Sequence, residues 1–200
     1  MSIIIGLTGS IATGKSTVSL MFDDFNIPVI DADKVAREVV KPGELAYKQI
    51  VNQFGHQILR ADKTLNREML GQIVFADEAK RDQLNKIIHP AVREKIIEKR
   101  DAYLQAKAPC VVLDIPLLYE NNLTYLVDKT IVVYADEDVQ LRRLMERNGY
   151  TEQEANQRMQ AQMPVKEKAK KADAVIDNNG SKYKTYKQLE KILMAWGVIT

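Results

Sequence analysis

Residues 3–7, 28–30, 110–115, 130–134 and 174–177 are short apolar runs rich in Val and Ile. Continuous runs of this length suit strands covered on both faces, whereas a half-exposed strand would alternate apolar and polar residues. Between them, apolar positions recur at helical spacing. Leu84, Ile87, Ile88, Ala91 and Val92 form one such set, and Ile96, Ile97, Tyr103 and Leu104 form another around a charged face. Alternating strands and helices predict an α/β chain with a five-stranded, mostly parallel sheet and helices on both sides.

The spacing of these elements is uneven. About eighty residues separate the second and third runs, far more than a crossover helix needs. This stretch, about 33–107, reads as almost entirely helical. Pro90 interrupts it and suits a first helical position, which predicts one helix ending near Ile88 and another starting at Pro90. A second insert follows the fourth run. There Leu141, Leu144 and Met145 face one way and Arg142, Arg143 and Arg147 the other. Asn148-Gly149 predicts a helix stop, and Thr151 with Glu154 predicts a capping box. The charge run 166–171 reads as a solvated helix face.

Chemistry enters at Gly9-Ser-Ile-Ala-Thr-Gly-Lys-Ser16, two glycines four residues apart followed by Lys-Ser. This is the phosphate-loop pattern, and it lies between an expected strand and an expected helix, where unpaired backbone N–H groups favour an anion. Lys15 would reach the β- and γ-phosphates of a nucleoside triphosphate, and the Ser16 hydroxyl would sit on Mg²⁺. Two carboxylate sites accompany the loop. Asp114 ends an apolar strand, the place of an acid supporting Mg²⁺ and its water shell. Asp31-Ala-Asp33 follows the second strand at the carboxyl edge of the expected sheet. Asp33 reads either as the N-cap of a helix from Lys34 or as the carboxylate beside an acceptor hydroxyl. Arg143 and Arg147, four apart, share a helical face, a spacing equally compatible with a solvated surface.

Taken in order along nearly the whole chain, these segments resemble the dephospho-coenzyme A kinase family. The resemblance rests on Gly6-Leu-Thr-Gly9 before the loop, Asp31-Ala-Asp33 with Ala36-Arg37, and His89-Pro90 with Val92-Arg93. It continues with Pro116-Leu-Leu-Tyr-Glu120, Gln140 through Arg143 to Arg147, Gln157-Arg158, Gln162, Ala172-Asp173 and Asp177-Asn178. Ser10 and Ala12 stand where that family often has glycine. The resemblance implies an adenylate-kinase-like enzyme using ATP and Mg²⁺ to phosphorylate the ribose 3′-hydroxyl of dephospho-coenzyme A, the last step of coenzyme A synthesis. It implies a nucleotide-binding core of residues 1–32, 108–137 and 164–200, a helical acceptor-binding insert 33–107 and a lid 138–163.

By position, the resemblance implies that Gly9, Ala12, Thr13, Gly14, Lys15, Ser16 and Thr17 cradle the ATP phosphates. Asn178 and Gly180 would lie by the adenine. Asp33, Arg37, His89 and Arg93 would serve the acceptor, with His89 alternatively ending a helix. Ser16 and Asp114 would hold the metal. Arg143 and Arg147, and Arg158 after them, would close over the phosphates. A kinase of the same architecture acting on a nucleoside monophosphate or shikimate, or a nucleotide switch that transfers nothing, stays open beside this reading.

Composition narrows the field. Lys plus Arg number 29 against 27 acids, a net of +2, and aromatics are 6% of 200 residues. That balance disfavours binding nucleic acid by bulk charge. A single cysteine, Cys110, rules out an internal disulfide and reads as a small buried hydrophobe. No run approaches the roughly 18 apolar residues of a membrane span. A cytoplasmic enzyme with a small-molecule substrate and no obligate protein partner is expected.

Overall fold

The structure, a computed structural model, describes residues 2–200. It contains β1 (Ile3–Gly9), α1 (Lys15–Met21), β2 (Val29–Asp31), α2 (Ala32–Glu38), α3 (Leu45–Phe54), α4 (Arg67–Ala76) and α5 (Glu78–Gln105). These are followed by β3 (Cys110–Asp114), β4 (Lys129–Tyr134), α6 (Glu137–Asn148), α7 (Glu152–Gln160), α8 (Val165–Lys171), β5 (Ala174–Asp177) and α9 (Lys182–Ala195). All five apolar runs are strands. The chain divides into two compact units, one of residues up to 30 together with 102–200, the other of residues 31–101.

In the first unit the strand order is β2-β3-β1-β4-β5. β1 pairs in parallel with β3 and with β4, and β5 pairs in parallel with β4. Every residue of β3 is buried, as are the central four of β4. This accounts for the unbroken apolar runs, since a central parallel strand has no face for a polar side chain. One face of the sheet contributes Ile5, Leu7, Cys110, Val112, Ile131 and Val133 to a core shared with Val18 of α1 and with Leu189 and Leu193 of α9. Phe25 and Tyr186 stack beside it at 5.2 Å. On the other face Gly6 is required for space. A Cβ there would stand 2.9 Å from Leu118 Cδ2 and 3.1 Å from Val127 Cγ2.

The helical punctuation of residues 138–163 is as expected. α6 ends on Gly149 in the left-handed conformation, with φ 68°. Thr151 and Glu154 form a reciprocal capping box at the start of α7.

In the second unit, α3 buries Ala46, Ile50 and Phe54, and Ile58, Leu65 and Leu70 are buried along the segment that leads into α4. α2 is joined to α5 by an ion pair between Glu38 and Lys99. The break expected at Pro90 does not occur, because α5 runs 28 residues straight through it. Proline inside a helix forfeits one hydrogen bond and crowds the preceding turn, at a cost of about 3 kcal/mol. Here Pro90 is exposed, and the buried residues Leu84 and Ile96 anchor the helix on either side of it. His89 consequently ends no helix.

Cys110 is fully buried in β3, and desolvation pushes its thiol up to about 12. A thiol above its ordinary value is neutral at every physiological pH and lacks the reactive thiolate. A disulfide-exchange reagent at pH 8 should label no thiol in the native protein and one in denaturant. Rapid native labelling would show that the β3 core opens.

Candidate active site

β1 and β3 are neighbours whose connections leave in opposite directions, β1 toward the β2 edge and β3 toward β4 on the other side. Such a divergence opens a crevice beyond the carboxyl ends of the two strands, where open α/β sheets bind ligands. The loop 10–14 follows β1 there, and Asp114 closes β3 there. Across the crevice Lys15 Nζ forms an ion pair with Asp114 Oδ1, with the carboxylate 5% exposed and the lysine 18%.

The loop is shaped by its own residues. Ala12 and Gly14 take positive φ, 61° and 90°. Gly14 is the N-cap of α1, and a methyl group there would overlap the Asn178 side-chain amide. Thr13 is fully buried, and its hydroxyl donates to the Ser10 carbonyl at 2.9 Å. Its backbone N–H donates to the same carbonyl at 3.3 Å. Ser16 is exposed at the start of α1.

Two residues distant in sequence support the loop from beneath. Asn178 is buried after β5; its Nδ2 donates to the Thr13 carbonyl at 2.8 Å, and its Oδ1 accepts from the Thr185 hydroxyl at 2.8 Å. Arg143 of α6 donates to the Asn178 carbonyl at 2.8 Å and to the Thr13 carbonyl at 3.4 Å. Arg147 lies one turn further on, exposed, with its Nε bonded to Asn148 Oδ1 at 2.8 Å. Arg158 sits 4.3 Å over the Tyr150 ring. Of the three arginines, Arg143 is the one placed at the loop.

In the second unit the cap of α2 is Asp31, not Asp33. Asp31 Oδ1 accepts from the backbone N–H of Asp33 at 2.9 Å and of Lys34 at 3.0 Å. The chain enters the helix two residues earlier than expected, at Ala32 rather than Lys34, so the second carboxylate of the pair becomes a first-turn residue. Asp33 is exposed and makes no side-chain hydrogen bond or ion pair among the described residues. Arg37 lies in the last turn of α2, and His89 and Arg93 lie four apart on α5; all three are exposed and likewise uncommitted among the described residues.

The family model of CoaE, dephospho-CoA kinase, matches residues 3–184. The dephospho-CoA kinase of Oceanobacillus iheyensis is 59% identical over 99% of this chain and all of that protein. The chain belongs to the dephospho-CoA kinase family. Among solved structures, TT1252 from Thermus thermophilus superposes with a TM-score of 0.83 at 33% identity, covering 98% of this chain and 97% of that one. The dephospho-CoA kinase of Campylobacter jejuni gives 0.76 at 29% identity over the full length of both. Membership in a kinase family implies the use of ATP.

The donors at the crevice suit the metal that accompanies ATP. A hydroxyl at Ser16 and a carboxylate at Asp114 are hard oxygen ligands, as Mg²⁺ prefers. No cluster of three or more His, Cys, Asp or Glu that could hold a metal exists among the described residues.

Sequence reasoning missed a layer behind the loop. Lys168, expected in a solvated run, is completely buried. Val165 is buried three residues before it, so helical spacing turns Lys168 to the same inner face. That stripe was the available signal. Residues 10–11 of the loop are also tied to residues 162–163: Gln162 Oε1 accepts the Ile11 N–H and the Ser10 hydroxyl donates to the Met163 carbonyl, both at 2.9 Å.

Gly14→Ala should both strain the backbone by about 1–3 kcal/mol and displace Asn178. The expected result is a lower Tm and loss of ADP binding in a calorimetric titration. Retained binding would show that the loop tolerates a different path.

Proposed function

We propose that the chain transfers the γ-phosphoryl group of ATP to the ribose 3′-hydroxyl of dephospho-coenzyme A, giving coenzyme A and ADP. The observation that carries this reading is the Lys15–Asp114 pair at the mouth of β1 and β3, in a chain of this family. Lys15 is held ready by a carboxylate until phosphate oxygens replace it as the lysine's partner. The loop backbone from Ala12 to Thr17 receives the phosphates. The Ser16 hydroxyl and Asp114 would hold Mg²⁺, whose chemistry there would be to neutralise phosphate charge.

Transfer breaks the bond between the γ-phosphorus and the bridging oxygen and forms one to the ribose oxygen, whose proton must leave. Asp33 is the group assigned to that proton. Its support is the capping by Asp31, which leaves the second carboxylate unspent. Arg37, His89 and Arg93 are cations or donors suited to the acceptor's phosphates, Arg93 through its planar fork. The insert 33–107 takes the acceptor, and residues 138–163 form the lid. Arg143 braces the loop and neutralises charge as it develops, while Arg147 and Arg158 must leave their present partners to join it. Asn178 is assigned to the adenine end as a structural neighbour, since its side chain is spent on Thr13 and Thr185 and its backbone on Tyr134 and Arg143.

No helix among the described residues is long and apolar enough to cross a membrane. We place the reaction in the cytoplasm, on a small-molecule acceptor without an obligate protein partner.

Purified protein with ATP and Mg²⁺ should release ADP only when dephospho-coenzyme A is present, among a panel including shikimate and nucleoside monophosphates. ADP release with another acceptor alone would overturn the assignment. Lys15→Ala should abolish transfer with an unchanged circular dichroism spectrum; near-normal turnover would remove the lysine from the site. Asp33→Asn should lower kcat on the order of 100-fold while ATP affinity stays close to wild type. A variant that lost thermal stability but kept its rate would return Asp33 to a structural role.

A further inference from the structure

We infer that Lys168 is a positioning residue for phosphoryl transfer, fastening the phosphate loop to the turn that carries Asp114, and that Glu120 links the segment between α7 and α8 to the same point. The inference rests on the proposed function above. The side chain of Lys168 is fully buried on α8, and its ammonium meets three acceptors. These are the Gly9 carbonyl at 3.2 Å, the Pro116 carbonyl at 3.0 Å and Glu120 Oε1 at 2.9 Å. An ammonium has three donors, so all are used.

The placement of these acceptors is what gives the lysine its role. Gly9 is the last residue of β1 and the start of the loop, and Pro116 lies two residues beyond Asp114. The β1–β3 ladder extends only to the bond from Ile115 N–H to the Leu7 carbonyl, at 2.9 Å. Beyond it the strands part, and Lys15 and Asp114 face each other across the gap. Lys168 spans the same gap, helped by the Thr8 hydroxyl, which donates to the Pro116 carbonyl at 2.9 Å. The separation of Lys15 from Asp114 thus depends on this fastener more than on the ladder.

Glu120 extends the connection. Its Oε1 also accepts the Met163 N–H at 3.2 Å, while the Met163 carbonyl holds the Ser10 hydroxyl and Gln162 holds the Ile11 N–H. The first half of the loop is therefore set by residues 162–163 and the strand exit by Lys168, with Glu120 joining them. Stability alone is a weak reason for this arrangement. A buried ion pair often contributes less than packed apolar groups would, and Glu120 Oε2 is buried without a hydrogen-bond partner among the described residues, a further cost.

Lys168→Met and Glu120→Gln test the inference in the full-length enzyme, with kcat, KM for ATP, Tm and ADP affinity measured together. Active molecules are counted by ADP titration. Lys168→Met should lower kcat per active molecule about 100-fold, as expected for an ångström-scale misplacement, and move KM for ATP far less. Glu120→Gln should show a smaller loss of the same kind and serves if the first variant does not fold. Leu189→Ala, a core truncation, should lower Tm while leaving kcat per active molecule unchanged. Wild-type kcat in both network variants would overturn the inference, whatever their stability. Failure of wild type to phosphorylate dephospho-coenzyme A would instead overturn the proposed function, and intrinsic ATP hydrolysis by the same variants would then read the same geometry.

Discussion

The parallel pairing of β1 between β3 and β4 is the constraint on which the site depends. Parallel strands all finish at one edge, so residues far apart in the chain arrive together: the loop after Gly9, the acid at Asp114 and the amide at Asn178. The helices that cross the faces bury the apolar runs and need no polar group from the strands. Chemistry is confined to the carboxyl ends, where the ladder stops and backbone groups lose their sheet partners.

That loss is itself the source of function. Loop residues cannot hydrogen-bond as strand or helix, and several of their carbonyls are taken by side chains instead. Thr13 is held by Asn178 and Arg143, Ser10 by the Thr13 hydroxyl, and Gly9 by Lys168. The Ile11 and Thr13 N–H groups are bonded within the protein as well, so an anion falls to the remaining N–H groups of the loop and the start of α1. The rigidity of the loop therefore comes from three distant residues and one of its own rather than from the glycines, which only permit the path.

The two halves of the Asp31-Ala-Asp33 segment divide their work in a similar way. One carboxylate ends its freedom by capping α2, and the other keeps its freedom because the first has done so. Arg143 and Arg147 divide as well. They share a helical face, yet one turn of rise is enough to set Arg143 against Asn178 and leave Arg147 beside Asn148.

The sequence by itself determined the five strands, the phosphate loop, the Gly149 stop and the Thr151 capping box. These depend on burial on two faces or on bonds between near neighbours, and such local physics is written in periodicity and residue type. It misled at Pro90, where anchoring on both sides of the proline outweighed a local penalty, and at Asp33, where two acids two residues apart competed for one cap. Only the tertiary structure decided that Lys168 turns inward to Gly9 and Pro116, that Asn178 serves the loop through its side chain, and which arginine reaches it. Each of those depends on groups brought together across more than thirty residues; the spacing of Val165 and Lys168 can turn the lysine inward, but no spacing along the chain encodes which distant carbonyls it or Arg143 will meet.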